Sequence, residues 1–169
     1  MATVNDADKT LELQVAVIGG ACGALLQAVA TKAGTGETFA DPLTAQASAL
    51  MPLGEVKGWK TSFRFHAFGS DPWQTDAGRA LDGMARGIDV FVVTGGDVPP
   101  TSFAIERFAS HWREQREPKS PVVVLGADAI AASWGALTGT PPTHVAALDG
   151  EPLKAVQPAL KAALTSRRA

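Results

Sequence analysis

The chain has a single cysteine, Cys22, so no internal disulfide can form and a reducing compartment is expected. It also lacks a basic surplus. Lys and Arg number 15 against 17 Asp and Glu, a formal net charge of −2, so binding along a nucleic acid is not expected. Arg167 and Arg168 form the one basic cluster and read as a solubilising end. No apolar run reaches the roughly 20 residues that cross a bilayer. The first such run, Val15 to Ala30, is broken by Gly19, Gly20, Gly23 and Gln27. Ahead of it stand Asp6, Asp8 and Glu12 against Lys9, the wrong charge for a secretory leader. A cytoplasmic protein without membrane insertion is therefore expected. Metal-ligand spacing is missing too, because His66, His111 and His144 lie far apart with no cysteine pair.

What remains is a chain of 169 residues, 46% of them apolar, enough for one domain with a core. Residues 1–10 are polar and aperiodic and read as a flexible tail, leaving 11–169 as a single domain. Leu11–Ile18 begins by alternating and ends wholly apolar, as a strand entering the middle of a sheet does. Gly19–Gly23 is a tight turn, and Ala24–Lys32 is helical in pattern. Residues 33–44 read as a loop. Ala47–Val56 and Trp59–Phe68 form a hairpin about Lys57-Gly58. In its second strand Phe63, Phe65 and Ala67 alternate with Ser62, Arg64 and His66.

Helical spacing returns at Asp76–Arg86 and Thr101–Arg116, the second with Ile105, Phe108 and Trp112 on one side. Ile88–Thr94 and Pro121–Gly126 read as buried strands. A short helix, a loop at Thr138–Pro142 and a brief strand at Thr143–Ala147 follow. The last helix starts near Asp149, uses Leu153, Val156, Leu160 and Leu164, and is expected to kink at Pro158. Strands alternate with helices apart from the hairpin. The expected fold is three-layer α/β/α, with a mostly parallel six-stranded sheet and one antiparallel hairpin. Ligands in such sheets sit beyond the C-terminal ends of the strands, which singles out loops 19–23, 69–75, 94–100 and 126–128.

A strand, a glycine turn and a helix make the geometry of a phosphate-binding loop, whose backbone N–H groups and helix terminus attract an anion. The working motif G-x-x-x-x-G-K-[ST] supplies a Lys for the phosphate and a hydroxyl for Mg²⁺. Here Gly19-Gly20-Ala21-Cys22-Gly23-Ala24-Leu25 is one residue short, with Ala24 and Leu25 in those two places. The same turn places Cys22 as in a nucleophile elbow. With His66 at the correct edge of the sheet as base, a Cys-dependent hydrolase is a second alternative.

The order of elements from Leu11 to about Ala163 resembles a small Ras-like GTPase. The stretch Met51-Pro52-Leu53-Gly54-Glu55-Val56-Lys57-Gly58-Trp59-Lys60, continued by Phe63-Arg64-Phe65-His66-Ala67-Phe68-Gly69, is similar to a segment of bacterial polarity and gliding-motility GTPases of the MglA type. That segment reads L-P-L-x-L-G-x-I-x-G-F-x-x-R-F-x-x-Y-T-V-P-G-Q. The resemblance implies a P-loop small-GTPase-like fold and a nucleotide site at Gly19, Gly20, Gly23, Gly69 and Asp128. It also implies where this chain departs from the family. Gly69 matches the second-switch glycine, while His66 and Ser70 stand where an Asp or Thr and a Gln belong. Gly126-Ala127-Asp128-Ala129 replaces the guanine-reading N-K-x-D. Thr35, Thr38 or Thr44 would stand for the first-switch threonine.

Phosphoryl transfer depends on positioned cations and hydrogen bonds, so the resemblance implies a catalytically inactive member with no catalytic residue, no metal and no cofactor. GTP or GDP with Mg²⁺, held in an atypical site, is the alternative. Family regulators dock around the switches and the hairpin. Glu55, Lys57 and Trp59, with Phe68 and Trp73, are accordingly the expected patch for a protein partner, a regulator or a scaffold.

Overall fold

The structure, a computed structural model, describes residues 2–33, 39–41, 46–126, 128–148 and 151–168. Its strands are β1 (Thr3–Asn5), β2 (Thr10–Ile18), β3 (Phe39–Asp41), β4 (Gln46–Val56), β5 (Trp59–Ala67), β6 (Val90–Thr94), β7 (Val122–Leu125) and β8 (His144–Ala146). Its α-helices are α1 (Cys22–Lys32), α2 (Ala77–Met84), α3 (Ser102–Arg113), α4 (Asp128–Thr138) and α5 (Pro152–Arg168). One sheet holds every strand in the order β3-β4-β5-β2-β6-β7-β8, with β1 set against the start of β2. The pairs β5/β2, β2/β6, β6/β7 and β7/β8 are parallel. The pairs β3/β4, β4/β5 and β1/β2 are antiparallel.

Side-chain alternation splits the core into two halves. On one face Leu13, Val15, Val17, Phe63 and Phe65 meet α1 and α5. On the other, Ala16, Ile18, Phe91, Val93 and Val124 meet α2, α3 and α4. The fold is therefore α/β in three layers. Every residue of β6 and β7 is buried, because helices cover both sides of the sheet there. Phe91 lies at the centre of an aromatic group, with ring centroids 4.8 Å from Phe108 and 6.5 Å from Trp134. Thr101 caps α3, its Oγ1 accepting from Ala104 N–H at 3.2 Å.

The hairpin turns on two residues with positive φ, Lys57 (51°) and Gly58 (82°), so that Val56 faces Trp59. Turns with two such residues match the right-handed twist of the strands they join. A register shift between Pro52 and Gly54 inserts Leu53 as a bulge.

The sequence-based expectations need three corrections. Residues 3–5 are not a loose tail; they pair with Thr10–Glu12 as β1. The segment expected as loop contains β3, whose Phe39–Asp41 lies opposite Gln46–Ser48. The sheet consequently has eight strands rather than six. Both added strands are three residues long, too short to show a period. The expected last helix is α5, Pro152–Arg168, with Pro158 inside it. Thr35, Thr38 and Thr44 lie outside the described residues.

Truncation of Phe91 tests the placement of the aromatic core. Phe91→Ala is expected to cost about 3–5 kcal/mol, read as a lower urea midpoint with an unchanged slope. Val145→Ala, at a side chain half exposed on β8, should stay within about 0.5 kcal/mol of wild type.

Candidate functional site

The C-terminal ends of β2, β5, β6 and β7 bring Gly19–Cys22, Phe68–Ser70, Gly95–Thr101 and Gly126 to one edge of the sheet. This is where an α/β sheet takes a ligand, and it is where the sequence places the glycine turn. The turn is packed against its neighbours. A Cβ on Gly19, whose φ is +106°, would lie 2.0 Å from the Thr94 carbonyl oxygen. One on Gly20 would lie 2.2 Å from the Val98 carbonyl oxygen. Glycine is required at both positions because the strand β6 and its outgoing loop press onto the turn.

Hydrogen bonds hold this contact. The Gly19 N–H donates to Gly69 O at 2.8 Å and the Cys22 N–H to Gly19 O at 3.3 Å. The Ala21 N–H donates to Thr94 Oγ1 at 3.3 Å, while that hydroxyl donates to Ile18 O at 2.9 Å. Thr94 is fully buried, so its hydroxyl ties the end of β2 to the start of α1. Beyond the turn, the Gly95 N–H donates to Leu125 O and the Gly126 N–H to Ala146 O, at 2.7 and 2.9 Å. The Leu148 side chain lies over both Gly96 and Gly126. The sequence reading did not single out Thr94, Val98 or Leu148. The available signal was the threonine closing the apolar run Ile88–Thr94.

The turn departs from a working phosphate loop in its donors and in its side chains. An anion cradle needs converging free N–H groups, and those of Gly19, Ala21 and Cys22 are bonded within the protein. Ala24 and Leu25 carry neither charge nor hydroxyl. Gly23 opens α1 on the exposed side, where a Cβ would meet nothing within 4 Å. Gly69 (φ +82°) gives its carbonyl to the turn. Asp128 is exposed in the first turn of α4, where a carboxylate complements the helix dipole.

The cysteine and histidine of the hydrolase reading are not brought together. Cys22 is buried in the apolar half that holds Phe65 and Ala67. Alternation along β5 turns His66 to the opposite face, beside Phe68 and Gln14. Burial pushes the Cys22 thiol up, against N–H groups of Gly69, Gly23 and Cys22 itself that pull it down. The thiol is therefore less reactive than a free one.

The expected partner patch is divided as well. Glu55 and Lys57 are exposed at the hairpin tip, and Trp59 is half-buried there under the Lys9 amino group, 4.9 Å from its ring centroid. Phe68 and Trp73 follow the other end of β5, about 25 Å along the strand at 3.3 Å per residue. Phe68 is only 3% exposed and packs in the α2–α4 half of the core, so it cannot meet a partner. Trp73 is half-buried and donates from Nε1 to Asp82 Oδ1 at 3.1 Å.

A polar chain runs along the middle of β2 and β5. Arg64 donates to both Glu12 oxygens at 2.8 and 3.3 Å, Gln14 Nε2 donates to Glu12, and His66 Nε2–H donates to Gln14 Oε1 at 2.7 Å. Burial pushes the Glu12 carboxyl up, but the bonds from Arg64 and Gln14 outweigh it and hold the group low. Burial, then the Arg64 charge, pulls His66 down to about 4, with Glu12 opposing.

Two predictions follow from this geometry. Gly20→Ala should destabilise by about 1–3 kcal/mol, the range of overpacking. Gly23→Ala, in an open helical position, should be neutral or stabilise by up to about 1 kcal/mol. Equal melting temperatures for the two variants would show that the turn does not press on Val98. The second concerns pH. Folded His66 stays neutral down to about 4, whereas an unfolded histidine takes its proton near 6.5. The unfolded chain thus binds more protons between these values, and stability should fall by about 3 kcal/mol as pH drops through that window. His66→Gln should flatten it. The lowered Glu12 adds a further loss only below about pH 4.5. A flat wild-type profile from 6.5 to 4 would contradict the assignment.

Comparison with known proteins places the chain in no family: no family model matches it, and no curated protein is significantly similar to it.

Proposed function

We propose that this domain is a non-enzymatic, Ras-like pseudo-GTPase that works as a shape recognised by other proteins. The observation that carries the reading is the closed glycine turn. Its strand–turn–helix path is that of a phosphate loop, yet Thr94 and Val98 press onto Gly19 and Gly20, and the N–H groups of Gly19, Ala21 and Cys22 are bonded within the protein. The hairpin, Met51 to Gly69, keeps the residues that resemble MglA-type polarity and gliding-motility GTPases. A role in a bacterial polarity, motility or envelope-associated complex is the corresponding proposal. Among the described residues no helix is long and apolar enough to cross a membrane, and no group of three His, Cys, Asp or Glu could hold a metal ion.

The functional economy is simple. A domain that keeps a three-layer core but closes its ligand edge gives up differential binding of reactants, which is what catalysis requires. It retains rigid strand and helix surfaces, which is what recognition requires.

The test is a titration with fluorescent GDP and GTP in the presence of Mg²⁺. Each missing charged contact removes roughly a factor of ten or more in affinity. Binding is therefore expected to be weaker than about 100 μM. A sub-micromolar dissociation constant would overturn the pseudo-GTPase reading and establish an atypical nucleotide site.

A further inference from the structure

At the start of α3 large apolar groups stand in solvent. Phe103 is 54% exposed, and Val98 in the incoming loop is 57% exposed. Phe103 lies edge-on to Trp73, with ring centroids 6.1 Å apart. The Thr101 N–H donates to Ser70 O at 3.0 Å, which ties the loop before α3 to the loop that leads into Trp73. Trp73 is fixed from three sides. Its Nε1–H is bonded to Asp82, its ring packs on Gly78, and the Arg107 guanidinium lies 5.5 Å from its centroid. Arg107 itself donates to both Asp82 oxygens. An aromatic pair ordered in advance, beside a held arginine, loses little entropy when something docks on it.

The surroundings state what would dock. On the far side of Phe103, α3 and α4 flank an open groove of about 310 Å³ lined by Ile105, Ala136 and Leu137, with Glu106 also on its wall. Glu106 is one turn beyond Phe103 and so shares its helix face. Asp97 precedes Val98, and Asp76 stands just before α2, the helix on which Trp73 packs, with its carboxylate making no cap bond. All three carboxylates are exposed. Against them stand Arg79 and, two turns beyond Glu106 where it donates to Leu137 O, Arg113, the Arg107 charge being matched by Asp82; Glu106 and Asp97 are the charges nearest Phe103 and Val98 in the chain. Apolar centre and acidic rim together complement a segment that carries an apolar anchor flanked by Lys or Arg.

We infer that this face, from Trp73 across Phe103 to the α3/α4 groove, docks an amphipathic basic segment of another protein. The apolar anchor enters beside Phe103, and its basic flanks meet Glu106, Asp97 and Asp76. The inference rests on the reading that the domain acts through protein contacts, but not on the state of the nucleotide edge. It replaces the hairpin tip as the principal contact.

The test is selection of a displayed random 16-residue peptide library on the full chain, with Phe103→Ala as the counter-bait. Phe103 is half exposed, so the variant should melt within a few degrees of wild type, and a melting curve checks that it is folded. Enriched peptides are expected to combine Trp, Leu or Ile with Lys or Arg. They should bind Phe103→Ala and Glu106→Lys at least tenfold more weakly, bind Trp59→Ala unchanged, and weaken as salt rises. The proposal is overturned by acidic consensus sequences, by peptides indifferent to Phe103 and Glu106, or by failure to separate the two baits. It is equally overturned if sedimentation shows self-association that Phe103→Ala abolishes, since the occupant would then be a second copy. Tight GDP binding would overturn the pseudo-GTPase reading alone and leave the peptide result standing.

Discussion

The close approach of Gly19 and Gly20 to the backbone of Thr94 and Val98 governs the functional edge of this molecule. Two glycines make the approach sterically possible, and one buried hydroxyl makes it durable, because Thr94 Oγ1 accepts from Ala21 N–H while donating to the Ile18 carbonyl. A buried hydroxyl with both capacities used costs nothing in lost hydration, whereas an unused one would cost about 1–3 kcal/mol. Everything at the edge follows from this. The β6–α3 loop lies across the turn, and the Leu148 side chain lies against Gly96 and Gly126.

Closing the edge moves the question of function to the outer surfaces. The sheet is covered on one side by α1 and α5 and on the other by α2, α3 and α4. The core consumes Phe68, which the family resemblance had put on a partner surface, and it leaves Phe103 outside. The proposed interaction surface therefore sits on α3 and its neighbours, with Trp73 as the one aromatic common to both descriptions.

Much of the fold was legible because the signals were periodic. The alternation from Ser62 to Ala67 set the faces of β5, the all-apolar runs before Gly95 and Gly126 marked the doubly covered strands, and Lys57-Gly58 marked the hairpin turn. Strands β1 and β3 were not legible, since three residues at a sheet margin carry no period. The parity of β5 did place His66 with Arg64 on the polar face. Which helices cover which face is a matter of chain path rather than pattern, so the separation of His66 from Cys22 could not be read. Phe68 continues that parity one step past the strand and lands in the second half of the core. At the site, the missing Lys and Ser/Thr were plain in the sequence. The occupation of the turn by Thr94 and Val98 was not, because contacts between residues more than seventy positions apart leave no local trace.

The central claim is that the glycine turn is sealed by its neighbours, and amide hydrogen exchange of the free protein reads this directly. The account predicts that the Gly19 and Ala21 N–H groups exchange as slowly as those of β2 and β6, with no change on adding GDP and Mg²⁺ at low micromolar concentration. Rapid exchange at both amides in the free protein, slowed by the nucleotide, would contradict it.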